Sequence, residues 1–225
     1  QILTFTQGSS ASQIAASTSI SVVISGLKHP TKSGAVGNLL YKTTDNSDVS
    51  IDEGTFAGIT LNPNVLGQTT KNVVHENQKA GSITFLTTTI RAFSNPLSNG
   101  DIIKLSGFST DYVFDQGGGT TACTVTHDGV SVGVSSTTKD DSGTNRILKV
   151  TLSGSVGTTA KDTVVRCSNI LIPRKVTAAK TNIVIQSTDA SGVVRDEDTS
   201  FNLNDVTANV LGQTTKNVVH ENQKA

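Results

Sequence analysis

The stretch CTVTHDGVSVGV, Cys123–Val134, decides the fold class. Asp128-Gly129 is a two-residue type I′ turn signal, because both central residues of that turn need positive φ. Folding the stretch there pairs His127 with Val130, Val125 with Val132 and Cys123 with Val134. One face then collects Cys123, Val125, His127, Val130, Val132 and Val134. The other carries Thr124, Thr126, Ser131 and Gly133. A period of two is the signature of a half-buried strand, so Cys123 is expected to point into a core.

The same period recurs outside this hairpin. Ile20, Val22 and Ile24 alternate with Ser19, Ser21 and Ser25, with Val23 the one intruder, and Leu148, Val150 and Leu152 alternate with Lys149 and Thr151. Turn signals such as Asn99-Gly100 and Ser142-Gly143 punctuate the chain at short intervals. No stretch holds a helical period. Short strands at such spacing predict an all-β sandwich or barrel. In TVVRCSN, Arg166 and Ser168 belong outside, which turns Val165 and Cys167 inward. Cys123 and Cys167 are then either two buried thiols or one disulfide bracing the sandwich across its core. The surface-like composition favours the disulfide.

Composition narrows the function classes. The 225 residues are 35% hydrophobic and 16% charged, with 18 basic and 18 acidic side chains. A neutral chain offers no basic stripe for nucleic acid. No apolar run reaches the ~20 residues of a membrane span. The chain lacks Met, so Gln1 reads as a processed terminus or an internal cut.

A second stretch bears on organisation. NVLGQTTKNVVHENQKA stands at Asn64–Ala80 and again at Asn209–Ala225. The segments before the two copies share ordered landmarks: Pro30 and Pro173, Thr44–Ser47 and Thr188–Ser191, Asp52-Glu53 and Asp196-Glu197, Thr55 and Thr199. Such spaced similarity marks a diverged repeat. The expected parsing is the C-terminal half of one β-sandwich repeat at 1–63, a complete repeat at 64–208, and the start of the next at 209–225. Residues 64–80 serve as connector and first strand. Val65, Leu66, Val73 and Val74, with their copies Val210, Leu211, Val218 and Val219, are its apolar anchors. The repeated stretch is either a linker copied by recent duplication, a connector held to one sequence because its receiving surface repeats, or one sequence given to a periodic object.

The motifs ISGLKHP, GNLLYKTTD and IDEGT, with GSITFLTTT and NPLSNGDIIKLSGF, resemble tandem immunoglobulin-like β-sandwich repeats. Such repeats belong to very large surface proteins of protists, algae and bacteria, and similar ones to flagellar-hair fibres. Gly26, Pro30, Gly37, Asp45, Gly54 and Thr55 fit the pattern, as do Pro173, Asp189 and Thr199. ILIPRK lacks the Ser-Gly, and Asp198 replaces a glycine. The resemblance implies antiparallel Ig-like repeats in tandem and an extracellular, structural module.

Chemistry is sparse. His29, His75, His127 and His220 have no nucleophile and carboxylate placed beside them in sequence, and enzymatic activity is not expected. Asp189, Asp196, Glu197 and Asp198 supply hard oxygen ligands suited to calcium, or simply an acidic, solvated turn; no other cofactor is expected. The expected role is a structural subunit that self-associates head to tail through the repeated connector, outside the cell or on its surface. The alternative is a tandem adhesin, which should gather Tyr41, Tyr112 or Phe114 in a patch at the loop ends.

Overall fold

The computed structural model describes residues 4–6, 15, 18–26, 30–45, 47–67 and 71–209. Val210, Leu211, Val218 and Val219, like His29 and His220, lie outside the described residues. The chain divides into two compact units, Gln1–Pro30 and Thr31–Ala225. In the first, the described residues form neither strand nor helix, and Ile20, Val22, Val23 and Ile24 are exposed. The strand expected at Ile20–Ile24 is therefore not formed. Alternation specifies a strand only when a neighbour offers a ladder, and no described residue pairs with it.

The second unit is all β, with fifteen strands among its described residues. A small exposed part comes first: β1 (Gly34–Ala35), β2 (Leu39–Thr44), β3 (Ser50–Phe56) and β4 (Thr60–Leu61). β1 pairs with β4, and β2 with β3. The main ladder follows: β5 (Asn64–Val65), β6 (Asn72–His75), β7 (Ile83–Ile90), β8 (Ile102–Phe108), β9 (Cys123–His127), β10 (Val130–Val132), β11 (Val134–Asp140), β12 (Arg146–Leu152), β13 (Thr163–Leu171), β14 (Lys180–Thr188) and β15 (Val194–Leu203). Its order is β10-β9-β13-β7-β6-β15-β14-β8-β12-β11, with β5 beside β15. The two ends, β10 and β11, are consecutive pieces of one stretch, so the ladder nearly closes on itself. Near-closure leaves little free edge.

Between strands the pairing is antiparallel with two exceptions, both on β15. β5 and β6 run parallel to β15, which makes the sheet mixed rather than purely antiparallel. The buried apolar side chains among the described residues run from Leu66 to Val206, around Phe93, Phe108, Phe114 and Phe201. The described residues of Thr31–Pro63 add nothing to this core.

The Asp128-Gly129 hairpin forms with the expected register, Val130 opposite His127 and Val132 opposite Val125. Asp128 and Gly129 take φ of 53° and 75°, as a type I′ turn requires. The third expected rung is replaced. At Gly133 the strand leaves β9 and joins β12, so Val134 pairs with Leu152. A Cβ on Gly133 would stand 2.4 Å from Ser153 Oγ, so a side chain at this corner requires that hydroxyl to turn away; Ser153 N–H bonds the Gly133 carbonyl. Val130, expected inside, is 70% exposed at the hairpin tip.

Cys123 and Cys167 form a disulfide. It does not cross the core. β9 and β13 are neighbours, with Cys167 directly opposite Cys123 at a Cα–Cα distance of 4.0 Å. Both side chains are buried, so the inward facing holds while the span across the sandwich does not. Closing the intervening loop of the unfolded chain stabilises the fold by about 4 kcal/mol on chain-entropy grounds. The Cys123→Ser/Cys167→Ser double variant should therefore lose about 4 kcal/mol in urea unfolding, with an intact native fold in the absence of denaturant. An unchanged midpoint would show that the bridge constrains nothing.

Candidate functional site

The candidate site is the edge of β15 and the connector seated on it. β5 enters opposite Asp196 and Glu197, and β6 opposite Asn202 and Leu203. β6 also pairs with β7 on its other side, so this short strand joins the two halves of the ladder. Main-chain bonds from Asn202 N–H to the Lys71 carbonyl, Thr207 N–H to the Gln78 carbonyl and Ala80 N–H to the Thr207 carbonyl extend the seam. Of the four expected anchors, Leu66 and Val73 are buried. Val65, 69% exposed, and Val74 point outward. Alternation along a strand dictates that split.

Side chains lock the register. Asn204 accepts from His75 N–H at 2.8 Å and donates back to the His75 carbonyl at 3.4 Å. Lys71 pairs with Asp198 at 2.8 Å and donates to Ser200 Oγ at 3.0 Å. Glu76 binds Arg166, whose guanidinium lies 3.4 Å from the centre of the Phe85 ring. His75 Nε2 lies 2.9 Å from Tyr112 Oη, and His75 Nδ1 has no hydrogen-bond partner. Burial lowers the His75 pKa from 6.5 to about 4, against an opposing contribution from Asn204. Burial, with the charge of Asp111, raises that of Tyr112.

The acidic group considered for calcium is dispersed. Asp189 accepts from Ser191 and Val193 N–H and pairs with Lys32, which holds its carboxyl below the usual range. Asp196 is fully buried. It accepts from Ser187 Oγ at 2.7 Å and Asn95 Nδ2 at 3.3 Å, and burial raises its pKa against these bonds. Glu197 accepts from Gln186, and Asp198 faces Lys71. Successive residues of β15 point to opposite faces, and among the described residues no three His, Cys, Asp or Glu side chains converge. Tyr112 and Phe114 are core residues; only Tyr41 of the three aromatics is exposed. His127 Nδ1 pairs with Thr163 Oγ1.

A second edge resembles the first. The β2–β3 hairpin repeats the three rungs of β14–β15 nearest the turn; one further rung matches across a bulge between Ile183 and Ile185 that β2–β3 lacks. Leu39–Phe56 matches Ile183–Phe201, Tyr41–Gly54 matches Ile185–Asp198, Lys42–Glu53 matches Gln186–Glu197, and Thr43–Asp52 matches Ser187–Asp196. Both ladders shift at the next step, to Thr44–Ser50 and Thr188–Val194. Both turns are built on one aspartate. Asp45 Oδ1 accepts from Ser47 and Val49 N–H, as Asp189 Oδ1 does from Ser191 and Val193. Asp48 and Gly192 take the matching positive φ, 61° and 82°. Thr43 Oγ1 donates to Asp52 and accepts its N–H, as Ser187 does with Asp196. Burial separates the two hairpins. Ile183, Ile185 and Phe201 are 0% exposed, whereas Leu39, Tyr41 and Phe56 are 61%, 45% and 60% exposed. No described residue pairs with the outer edge of β3.

The landmarks Asp45, Asp52 and Glu53 were legible as motif matches. The seam contacts of Asn204, Tyr112 and Lys71 were not, because their partners lie 37 to 129 positions away. The ion pair of half-buried Arg195 with buried Asp101, at 2.9 Å, was missed for the same reason.

The buried His75 makes the seam sensitive to pH. The unfolded chain binds the proton near pH 6.5 and the folded chain only near 4, so the unfolded state gains as pH falls. This contribution is complete above 6.5 and is lost between 6.5 and 4, by up to about 3 kcal/mol. Urea midpoints measured across that range should fall for the parent chain. The fall should be shallower by that amount for His75→Gln, and parallel curves would refute the assignment.

Among the described residues, no helix is long and apolar enough to cross a membrane. The chain matches no known protein family, no curated protein and no solved structure.

Proposed function

We propose that the chain is the structural subunit of a polymer, built from Ig-like β-sandwich repeats and joined head to tail through the Asn64–Ala80 sequence and its copy. One observation carries the reading. Two hairpins with matching turn-proximal rungs and the same aspartate turn occur in one chain; one is sealed by the connector, and among the described residues nothing pairs with the outer edge of the other. A fold that covers an edge in one place and leaves its counterpart bare has a built-in acceptor. The verbatim second connector supplies a matching donor. A head-to-tail contact that does not close a ring propagates into a filament. The disulfide and the Ser/Thr-rich surface suit an oxidising, extracellular setting. This reading also extends the resemblance to flagellar-hair and surface-fibre repeats. The adhesin alternative lacks its loop-end patch, since Tyr112 and Phe114 fill the core.

Light scattering over a concentration series, followed by negative-stain microscopy, tests the reading. The full chain should form polymers that grow with concentration. A variant lacking 209–225 should remain monomeric while keeping the disulfide and the urea midpoint of the parent. Monodisperse monomers from the full chain at every concentration would overturn it.

A further inference from the structure

We infer that Asn209–Ala225 of one copy adds as a parallel strand to the outer edge of β3 in a second copy, with Asn209 opposite Asp52 and Val210 opposite Glu53. The inference rests on the polymer reading and specifies its contact. The template is the seated connector, whose Asn64 stands opposite Asp196 and Val65 opposite Glu197. Asp52 and Glu53 hold the same rungs of the open hairpin, and Asn209-Val210 repeat Asn64-Val65 letter for letter.

The chemistry of the open site fits this occupant. A free strand edge presents alternate N–H and C=O groups that an added strand satisfies through its main chain. The hairpin is already shaped for the task. Its aspartate turn and the Thr43–Asp52 pair fix the twist and rung spacing without any core beneath them. The connector also brings apolar side chains. Leu66 and Val73 share one core with Ile183, Ile185 and Phe201. Their copies Leu211 and Val218 would bring the same groups to Leu39, Tyr41 and Phe56; the exposed rings of Tyr41 and Phe56 already lie 4.8 Å apart, tilted by 34°. Burying apolar surface of this size gives the contact its driving force.

Two features of the seated seam are not reproduced at the second edge. Gly54 stands where Asp198 pairs with Lys71. Counted from Phe56 and Phe201, Ile59 stands at the position of Asn204, so the copy of His75 meets no matching amide clamp. The added strand is therefore held by main-chain bonds and apolar contact, and exchanges more readily than the seated one.

Register-specific cross-linking tests this. A chain carrying Glu53→Cys is mixed with one carrying Val210→Cys, oxidised mildly, and the linked peptides are identified by mass spectrometry. The expected product is a disulfide dimer joining positions 53 and 210 between chains. The yield should be at least tenfold above that with Leu211→Cys, whose side chain would face the other way. Polymers that form without the 53–210 link, or that favour the 211 partner, overturn the proposed register while leaving the polymer reading in place. In a third chain carrying both Glu53→Cys and Val210→Cys, a link that closes within the monomer at every dilution overturns the intermolecular contact. Absence of polymers in light scattering of the unmutated chain overturns both.

Discussion

The structure depends on the satisfaction of one strand edge. β15 is the last strand in chain order, and the N–H and C=O groups on the side away from β14 face the gap between the two halves of the ladder. The connector fills that gap by pairing with β15 through β5 and β6, and with β7 through β6. Without it the ladder opens at β7 and β15, and Leu66 and Val73 leave the core. Unpaired main-chain groups beside an apolar core cost free energy comparable to lost hydrogen bonds. A short polar stretch thus decides whether the ladder holds together. Lys71–Asp198, His75–Tyr112 and the Asn204 clamp then choose one register out of those the backbone alone would accept.

Local chemistry was legible in the sequence where it was sufficient by itself. Asp128-Gly129 fixes a hairpin because the turn demands positive φ at both positions, and nothing distant competes. The Asp45 and Asp189 turns belong to the same class, with side-chain acceptors two and four residues from their donors. Where the outcome depended on a distant neighbour, the sequence was silent. Gly133 carried a signal, since glycine inside a strand pattern often marks a bend or close approach. The corner it marks, where the chain leaves β9 for β12, exists only after β11 and β12 have paired. Likewise, the inward facing of Cys123 and Cys167 follows from alternation, but their adjacency on β9 and β13 is a matter of topology.

The acidic segment shows the same division from another side. Four carboxylates in ten residues read as a ligand cluster until the strand period is applied to them. On β15, Asp196 turns into the protein towards Ser187 and Asn95, while Asp198 meets Lys71. Each acquires its own donors, which is how a fold tolerates buried carboxylates without a metal. Asp52 occupies the rung of Asp196 and keeps the bond to its threonine, but not the burial. The bond that both hairpins keep, with burial in only one of them, puts local chemistry ahead of environment: the turn needs no core to make its hydrogen bonds.

That ordering bears on the identity of the two connector copies. A strand that binds through its main chain tolerates many side chains, so edge pairing alone does not explain seventeen identical residues. The side-chain lock of the seated copy does not explain it either, because Gly54 replaces Asp198 at the second hairpin and no asparagine there takes the place of Asn204. What the two edges share is the aspartate turn, the Asp-Glu rungs and three apolar positions, two on the inner strand and one on the outer. An occupant common to both must supply Leu and Val at the inward positions and leave the outward ones polar or small. The permanent seam adds ionic and amide locks to this shared set, and the open edge omits them. Strength is thereby separated from recognition: one set of letters is read by both edges, and only one of them holds it fast.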